Sequence, residues 1–306
     1  MIGLKDKNTR VKAYLACLTQ VVLVGFSLIF VKIALKDLSP LEVLSQRFIL
    51  AGALVVGLSI FRKSRASWDL EKIRDLYYLA LLYPLGFFGF QTYAMTQSTA
   101  TEAGILMALA PLATLVLAWI FLGERINKKQ IFMMVLASLG LVFLALVNQK
   151  EAQFHLRGTF FLVLSLLALA GYTILVRKKT QDYSYLDITN LVLLEGALFF
   201  LVLVVFKEGA GTLVQSFHSW KDPKIALSMA YLGIFSSYLT ALLNNYALSH
   251  LKASNVAALS NLSPLITSLA ASLFLGEVLS LGHILAMGLT LLGVFGLNIF
   301  QNKAEN

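Results

Sequence analysis

Glu195 is the residue whose type and surroundings most strongly suggest chemistry. It lies about midway along an apolar run, residues 186–206, that is long enough to span a membrane. An ionised carboxylate at that depth is costly unless it is paired, protonated or exposed to water. We therefore expect Glu195 to bind a cationic group of a substrate or to carry a coupling proton. Pairing with a basic or amide side chain is the structural alternative.

Amide and tyrosine side chains in other apolar runs are candidates for a polar cavity. Amides at lipid depth commonly hydrogen-bond between helices, and tyrosines commonly anchor helices at the membrane interface. Helix contacts and anchoring are therefore the alternatives to substrate binding. The full set of candidates for a substrate site or cavity is Gln91, Tyr93, Tyr172, Glu195, Tyr238, Asn244, Asn245 and Asn261.

Two prolines, Pro111 and Pro264, lie near the middle of apolar runs. A proline inside a helix removes one backbone hydrogen bond and favours a kink. The carbonyl groups of Met107 and Ser260 would be freed in this way. We predict that both prolines are hinges of a shared architecture, whereas a merely packed kink is the alternative.

Three further charges fall within or at the ends of apolar runs. Glu102 begins one run, where a carboxylate suits the positive end of a helix dipole. We expect a capping role, with a proton-binding gate as the alternative, so Glu102 is a second coupling candidate. Arg47 lies about 10 Å into its run at ~1.5 Å per residue. It could meet a substrate carboxylate, but we predict structural roles for Arg47 and for Lys32, which is placed to extend towards the interface.

The elements that must position these residues are membrane-spanning helices. Of the 306 residues, 58% are hydrophobic and 13% are charged, and the mean hydropathy is +0.78. Only helices satisfy the backbone of long apolar runs in lipid, so we predict an all-α integral membrane fold. The ten predicted spans are 14–35, 41–61, 75–97, 100–122, 127–147, 157–177, 186–206, 224–248, 253–275 and 280–300.

The chain contains an internal duplication. The segment APLATLVLAWIFLGE, residues 110–124, returns as SPLITSLAASLFLGE, residues 263–277, an offset of 153 residues. A repeat of this length must be recognised before the fold is predicted. We therefore predict two five-helix units, residues 1–150 and 151–306. Because five is odd, the second unit would enter the membrane from the opposite side, as an inverted repeat. The repeated Glu124 and Glu277 are expected to be structural, pairing with nearby cations or capping the next helix.

The basic residues predict the orientation of the chain. If the N-terminus is cytoplasmic, 17 of the 25 Lys and Arg residues fall in cytoplasmic segments, including the cluster Arg62, Lys63 and Arg65, and 6 fall outside. Both termini are therefore predicted to be cytoplasmic, in a multi-pass protein of the cytoplasmic membrane. The formal charge of +9 follows this distribution and does not indicate nucleic acid as a partner.

The sequence resembles the drug/metabolite transporter superfamily, specifically its ten-span EamA-like members. The resemblance rests on the paired Pro and Gly-Glu units, on SPLEVLSQRF at 39–48, and on Gly25-Phe26-Ser27 with Lys32. It implies a secondary transporter, since members resemble exporters of amino acids, other metabolites and drugs. The second unit departs from the pattern, because nothing there matches Pro40 and Arg47.

We predict a secondary transporter that exports small organic metabolites such as amino acids by alternating access. The sequence has no phosphate loop, HExxH motif or nucleophile elbow, and its four histidines lack metal-ligand spacing. We therefore predict neither an enzyme nor a cofactor or metal. The expected partners are a neutral or zwitterionic solute, protons, membrane lipids and a second copy in a homodimer. A flippase for a lipid or lipid-linked sugar is one alternative. An intramembrane enzyme or a non-transporting membrane assembly factor is another.

Overall fold

The computed structural model describes residues 7–61, 70–95, 97, 100–147, 155–276 and 278–305. These residues form helices and their connections, with no strand among them. The basic cluster Arg62, Lys63 and Arg65, and Glu277, lie outside the described residues. The α-helices are α1 (Lys7–Ala34), α2 (Pro40–Phe61), α3 (Leu70–Ala80), α4 (Phe87–Met95), α5 (Ala100–Met107), α6 (Ala110–Leu122), α7 (Lys128–Val147), α8 (Leu156–Lys179), α9 (Tyr185–Glu208), α10 (Ala210–Ser216), α11 (Pro223–Ala230), α12 (Thr240–His250), α13 (Ala253–Ser260), α14 (Ser263–Leu275) and α15 (Leu281–Glu305).

The predicted all-α membrane fold is confirmed. Within the described residues, eight helical segments are long and apolar enough to cross a membrane, and α15 contains a shorter apolar segment, Leu281–Leu297. The region of the predicted third span is divided among α3, a π-helical segment (Leu81–Gly86) and α4. Tyr83 has extended backbone angles there, with φ −145° and ψ 121°. The count of ten spans therefore stays a prediction.

Helix irregularities recur at corresponding places of the two units. The π-helical segment Leu81–Gly86 has a counterpart in Tyr231–Leu239, which joins α11 to α12. The break between α5 and α6 recurs between α13 and α14. Pro111 and Pro264 follow these breaks and lie in the first turn of α6 and α14, where no intrahelical donor is lost. The bend therefore falls just before each proline, and the hinge role stays a prediction.

The packing of the helices follows the same correspondence. Helix α4 packs on α8, and its counterpart α12 packs on α1. Likewise α6 packs on α8, while α14 packs on α1. Two further pairs, α2 with α9 and α7 with α15, join helices that correspond to each other. The two units therefore use equivalent surfaces to contact each other.

Helices α7 and α15 approach closely through a reciprocal pair of glycines. A Cβ atom on Gly140 would lie 2.7 Å from the backbone nitrogen of Thr290 and 2.9 Å from the carbonyl oxygen of Ala286. A Cβ atom on Gly293 would lie 2.6 Å from the carbonyl oxygen of Met133. Gly293 and Ala286 follow Gly140 and Met133 by the repeat offset of 153 residues. Small residues of this kind let helix backbones come together in a membrane.

We predict that Gly293→Ala lowers the free energy of unfolding by about 1–3 kcal/mol, because the new methyl group would overlap the α7 backbone. Gly288→Ala is the matched control, since a Cβ there meets nothing within 4 Å on the same helix. Unfolding of the purified variants in mixed micelles measures both changes. Equal stability of the two variants would show that close approach at Gly293 is not required.

Candidate functional site

A cavity of about 870 Å³ lies between the two units. Its wall contains residues of α1, α2, α4 and α6 from the first unit and of α8, α12, α13 and α14 from the second. Both π-helical segments contribute as well, through Tyr83 and Ser236. A cavity of this size accommodates a small organic molecule. The fold therefore provides a central site that neither unit forms alone.

The cavity extends towards one end of the fold, and packed side chains occupy the other end. Its lining reaches Leu35 and Pro40, at the connection between α1 and α2. At the opposite end, a buried cluster joins the beginnings of α1, α9 and α13 to the ends of α8 and α12. The structure is thus asymmetric along the direction in which a solute would move.

Glu124 stabilises the packed end. It is 8% exposed, and its carboxylate accepts a hydrogen bond of 2.8 Å from the backbone nitrogen of Ala253. The hydroxyl group and backbone nitrogen of Ser254 also donate to it. Nearby, Arg177 Nη1 donates to the carbonyl oxygen of Leu248 at 2.7 Å. Glu124 therefore caps the N-terminus of α13 in the other unit, and not the next helix along the chain as the sequence predicts.

Arg47 is the only residue with a formal charge at neutral pH among the described residues that line the cavity. It is 8% exposed. Its Nε donates to the hydroxyl group of Ser237 at 2.9 Å, and its Nη2 lies 3.3 Å from both the carbonyl and the hydroxyl oxygen of Ser236. These contacts link α2 to the π-helical segment of the second unit. The guanidinium also forms part of the cavity wall, so the structural role of Arg47 stays a prediction.

An aromatic wall lies next to Arg47. The rings of Tyr83 and Tyr172 are 5.0 Å apart, and Tyr83 also contacts Phe87 and Phe88, each at 5.7 Å. All four line the cavity. Asn245 lies behind this wall, accepting a 3.2 Å hydrogen bond from the Tyr172 hydroxyl group. The wall is therefore largely apolar, and the hydroxyl group of Tyr172 is held by Asn245 of α12.

Five of the predicted residues line the cavity. They are Arg47, Gln91, Pro111, Tyr172 and Asn244. The sequence-based candidates omitted Gln20, whose Oε1 is buried in the lining and has no hydrogen-bond partner among the described residues. The sequence could have indicated Gln20 as a cavity candidate, because it is an amide inside the first apolar run.

The other cavity candidates are placed elsewhere. Tyr93 is 51% exposed and contacts the Phe161 ring edge-to-face at 4.5 Å. Tyr238 is buried in an apolar cluster of α2, α9 and α12. Asn261 is buried at the break before α14, with its Nδ2 3.9 Å from the sulfur of Met134. Pro264 adjoins the lining residue Ser263, and Lys32 lies in the last turn of α1 outside the lining.

The two coupling candidates, Glu195 and Glu102, have different environments. Glu195 is half-buried on α9, outside the lining, and its Oε2 is buried without a hydrogen-bond partner among the described residues. Glu102 is fully buried in the first turn of α5. Its carboxylate accepts from the Thr159 hydroxyl group and, at 3.3 Å, from the backbone nitrogen of His155. Glu102 therefore joins α5 to the beginning of α8, whereas Glu195 lacks such a contact.

Comparison with known proteins shows which protein family this chain resembles. The sequence model of the EamA-like transporter family matches residues 11–146 and, a second time, residues 156–299. The chain is 32% identical over 299 residues to the uncharacterized transporter YcxC of Bacillus subtilis (strain 168), which covers 97% of this chain and 96% of the relative. It is 27% identical over 248 residues to a probable terminal-alkyne amino-acid exporter of Streptantibioticus cattleyicolor (strain ATCC 35852 / DSM 46488 / JCM 4925 / NBRC 14057 / NRRL 8057), covering 75% and 79% of the two chains.

A solved crystal structure has the same fold. It superposes with a TM-score of 0.81 and covers 96% of this chain and 99% of its own, at 15% sequence identity. Fold, cavity and relatives together define a multi-pass membrane transporter and not an enzyme. The chain belongs to the EamA-like transporter family, with two EamA repeats.

We predict that Glu124→Ala lowers the free energy of unfolding by about 1–3 kcal/mol, because buried donors at the start of α13 lose their acceptor. Arg125→Ala is the neighbouring control, since that side chain is exposed. Unfolding of both variants in mixed micelles measures the difference. An unchanged stability of the Glu124 variant would contradict its capping role.

Proposed function

We propose that this transporter exports small organic metabolites such as amino acids across the cytoplasmic membrane by alternating access. The observation that carries the proposal is the central cavity, which both units line and which extends to one end of the fold, while packed side chains occupy the other end. A solute held there would be exposed to one side only. The amino-acid exporter among its relatives supports the direction and the class of solute.

The repeated architecture supports alternating access. Helices α4 and α6 of the first unit both pack on α8. Their counterparts in the second unit, α12 and α14, both pack on α1, the counterpart of α8. If the units are inverted, exchange of their conformations closes the end to which the cavity extends and opens the packed one. The reciprocal glycine contact between α7 and α15 would be retained in such an exchange, because both helices contribute equivalent surfaces.

The distribution of basic residues supports the orientation. With both termini cytoplasmic, the packed end of the cavity faces the cytoplasm and the connection between α1 and α2 faces outward. The described conformation would then be open to the outside. In an exporter this is the state that has released its solute.

Counterflow in proteoliposomes tests the proposed transport. We expect the purified protein to exchange at least one labelled amino acid or related metabolite from a panel, with saturable kinetics. Thr114→Trp should abolish the exchange, because Thr114 is a buried part of the lining and an indole would fill the cavity. Val116→Trp on the same helix is the control, since Val116 is 50% exposed and lies outside the lining.

The same preparation separates the alternatives. Scrambling of a labelled lipid without movement of any soluble compound would favour the flippase. Equal loss of exchange in the Thr114 and Val116 variants would show that the cavity is not the transport route.

Glu195 is the proposed carrier of a coupling proton. It is a mid-helix carboxylate of a membrane-spanning segment, and a neutral carboxyl group is far less costly there than a carboxylate. Glu102, already engaged by Thr159 and His155, is the second candidate.

We predict that Glu195→Gln abolishes uptake driven by an imposed pH gradient, while gradient-free counterflow continues at a rate within about twofold of the original. Glutamine keeps the size of the side chain and removes its titration. Glu102→Gln, measured in parallel, identifies the carrier if the proton binds there instead. Undiminished pH-driven transport by the Glu195 variant would remove that residue from the coupling mechanism.

A further inference from the structure

The cation in the cavity wall has no anionic partner among the described residues. Arg47 is buried, and its hydrogen bonds within the described part of the chain go to the neutral oxygens of Ser236 and Ser237. Neither of these contacts supplies a negative charge. Among the described residues, Nη1 of Arg47 has no hydrogen-bond acceptor. The charge is therefore held in place but not neutralised.

Two aromatic rings lie close to the guanidinium of Arg47, and Nη1 is its one nitrogen without an acceptor among the described residues. The Cζ atom lies 5.3 Å from the centre of the Phe88 ring and 5.5 Å from that of Phe48. Such contacts stabilise a cation without neutralising it. A guanidinium offers its N–H groups along its edge, in a fork that matches a carboxylate. A solute in the cavity is the remaining source of that anion.

We propose that the cavity recognises small organic monocarboxylates, with Arg47 pairing with the carboxylate group. This inference rests on the proposed transport function and names its solute class. The described lining contains no Asp or Glu with which a solute would have to compete. It also contains a single cation, which suits one negative charge better than the two of a phosphate monoester.

The rest of the lining indicates the remainder of the solute. Phe87, Phe88 and Leu28 provide apolar surface on two sides of the cavity. The buried Oε1 of Gln20 is an acceptor without a described partner, so it can receive an N–H or O–H group. An apolar or aromatic body that carries one carboxylate and one hydrogen-bond donor satisfies these groups. Neutral amino acids with large side chains meet this description.

The sequence of the second unit has no basic residue that corresponds to Arg47. The segment of the second unit that corresponds to the region of Arg47, YSYLDITNLVLLEGAL at residues 183–198, contains no arginine or lysine. A second guanidinium at the equivalent place would favour a dianion. The single cation in the described lining therefore suits one carboxylate.

Matched probes test the proposal in the unmodified protein. L-phenylalanine and phenylacetate carry the carboxylate, L-phenylalaninamide and phenylacetamide lack it, and phenyl phosphate carries a different anion. We expect the two carboxylates to inhibit or drive counterflow and to raise the melting temperature in detergent. Their amides should be at least about tenfold weaker, since a charge-assisted pair with Arg47 is lost.

Variants assign the effect to Arg47. Arg47→Gln should remove the preference for carboxylate over amide, and Arg47→Lys should keep part of it, because the charge remains but the fork is lost. Ser237→Ala is the control, since it removes a contact of Arg47 without removing the cation. If the glutamine variant does not fold, the lysine and alanine variants and the probe pairs still show whether Arg47 recognises the carboxylate group.

The outcomes separate this inference from the transport function. Transport of solutes with equal use of acids and amides would overturn carboxylate recognition and leave transport intact. No transport of any solute, with a melting shift by the carboxylates alone, would overturn transport and retain recognition. Stabilisation by phenyl phosphate but not by phenylacetate would contradict the monocarboxylate.

Discussion

Lipid offers no hydrogen-bond partners to polar groups. This constraint determines where the backbone of this transporter departs from a regular helix. In its irregular segments, side-chain hydroxyl groups of the same segment or of a neighbouring helix supply hydrogen bonds to the backbone. The carbonyl oxygen of Leu232, in one π-helical segment, accepts from the Ser237 hydroxyl group at 2.9 Å. Next to the other segment, the carbonyl oxygen of Phe87 accepts from the Ser165 hydroxyl group at 2.9 Å. Side-chain hydroxyl groups therefore allow the helices to bend around a cavity.

The same constraint relates Arg47 to the cavity. Its guanidinium donates hydrogen bonds to two oxygens of Ser236 in a π-helical segment. It also donates to the hydroxyl group of Ser237, which in turn donates to the carbonyl oxygen of Leu232. Arg47 thereby supports the bend that forms the cavity and also places a positive charge in its wall. A structural role and a substrate contact are compatible, because the oxygens that hold Arg47 are neutral. The duplicated architecture supplies two similar bends, whereas the charge occurs in the first unit.

Close helix packing and helix capping occur in different parts of the molecule. Gly140 and Gly293 bring α7 and α15 together away from the cavity, where two equivalent surfaces meet. Glu124 holds the start of α13 at the packed end, and Glu102 contacts the beginning of α8. These contacts all join one unit to the other. The two units are therefore joined by capping contacts at helix ends and by the close backbone approach of α7 and α15.

The sequence by itself determined the all-α membrane class, the duplication and the family resemblance, because hydropathy, repeat offset and short motifs are local properties of the chain. It also identified Gln91, Tyr172 and Asn244, since polar side chains stand out in apolar runs. Only the tertiary structure decided which polar residues face the cavity. Asn245 follows Asn244 directly, yet it lies behind Tyr172, while Asn244 is in the lining. In an apolar run hydropathy is nearly uniform around the helix, so sequence carries little information on which side faces a neighbour, lipid or cavity. Arg47 contacts Ser237, nearly 200 residues away, and Phe88 of α4. These hydroxyl and aromatic neighbours depend on long-range packing that no local pattern encodes.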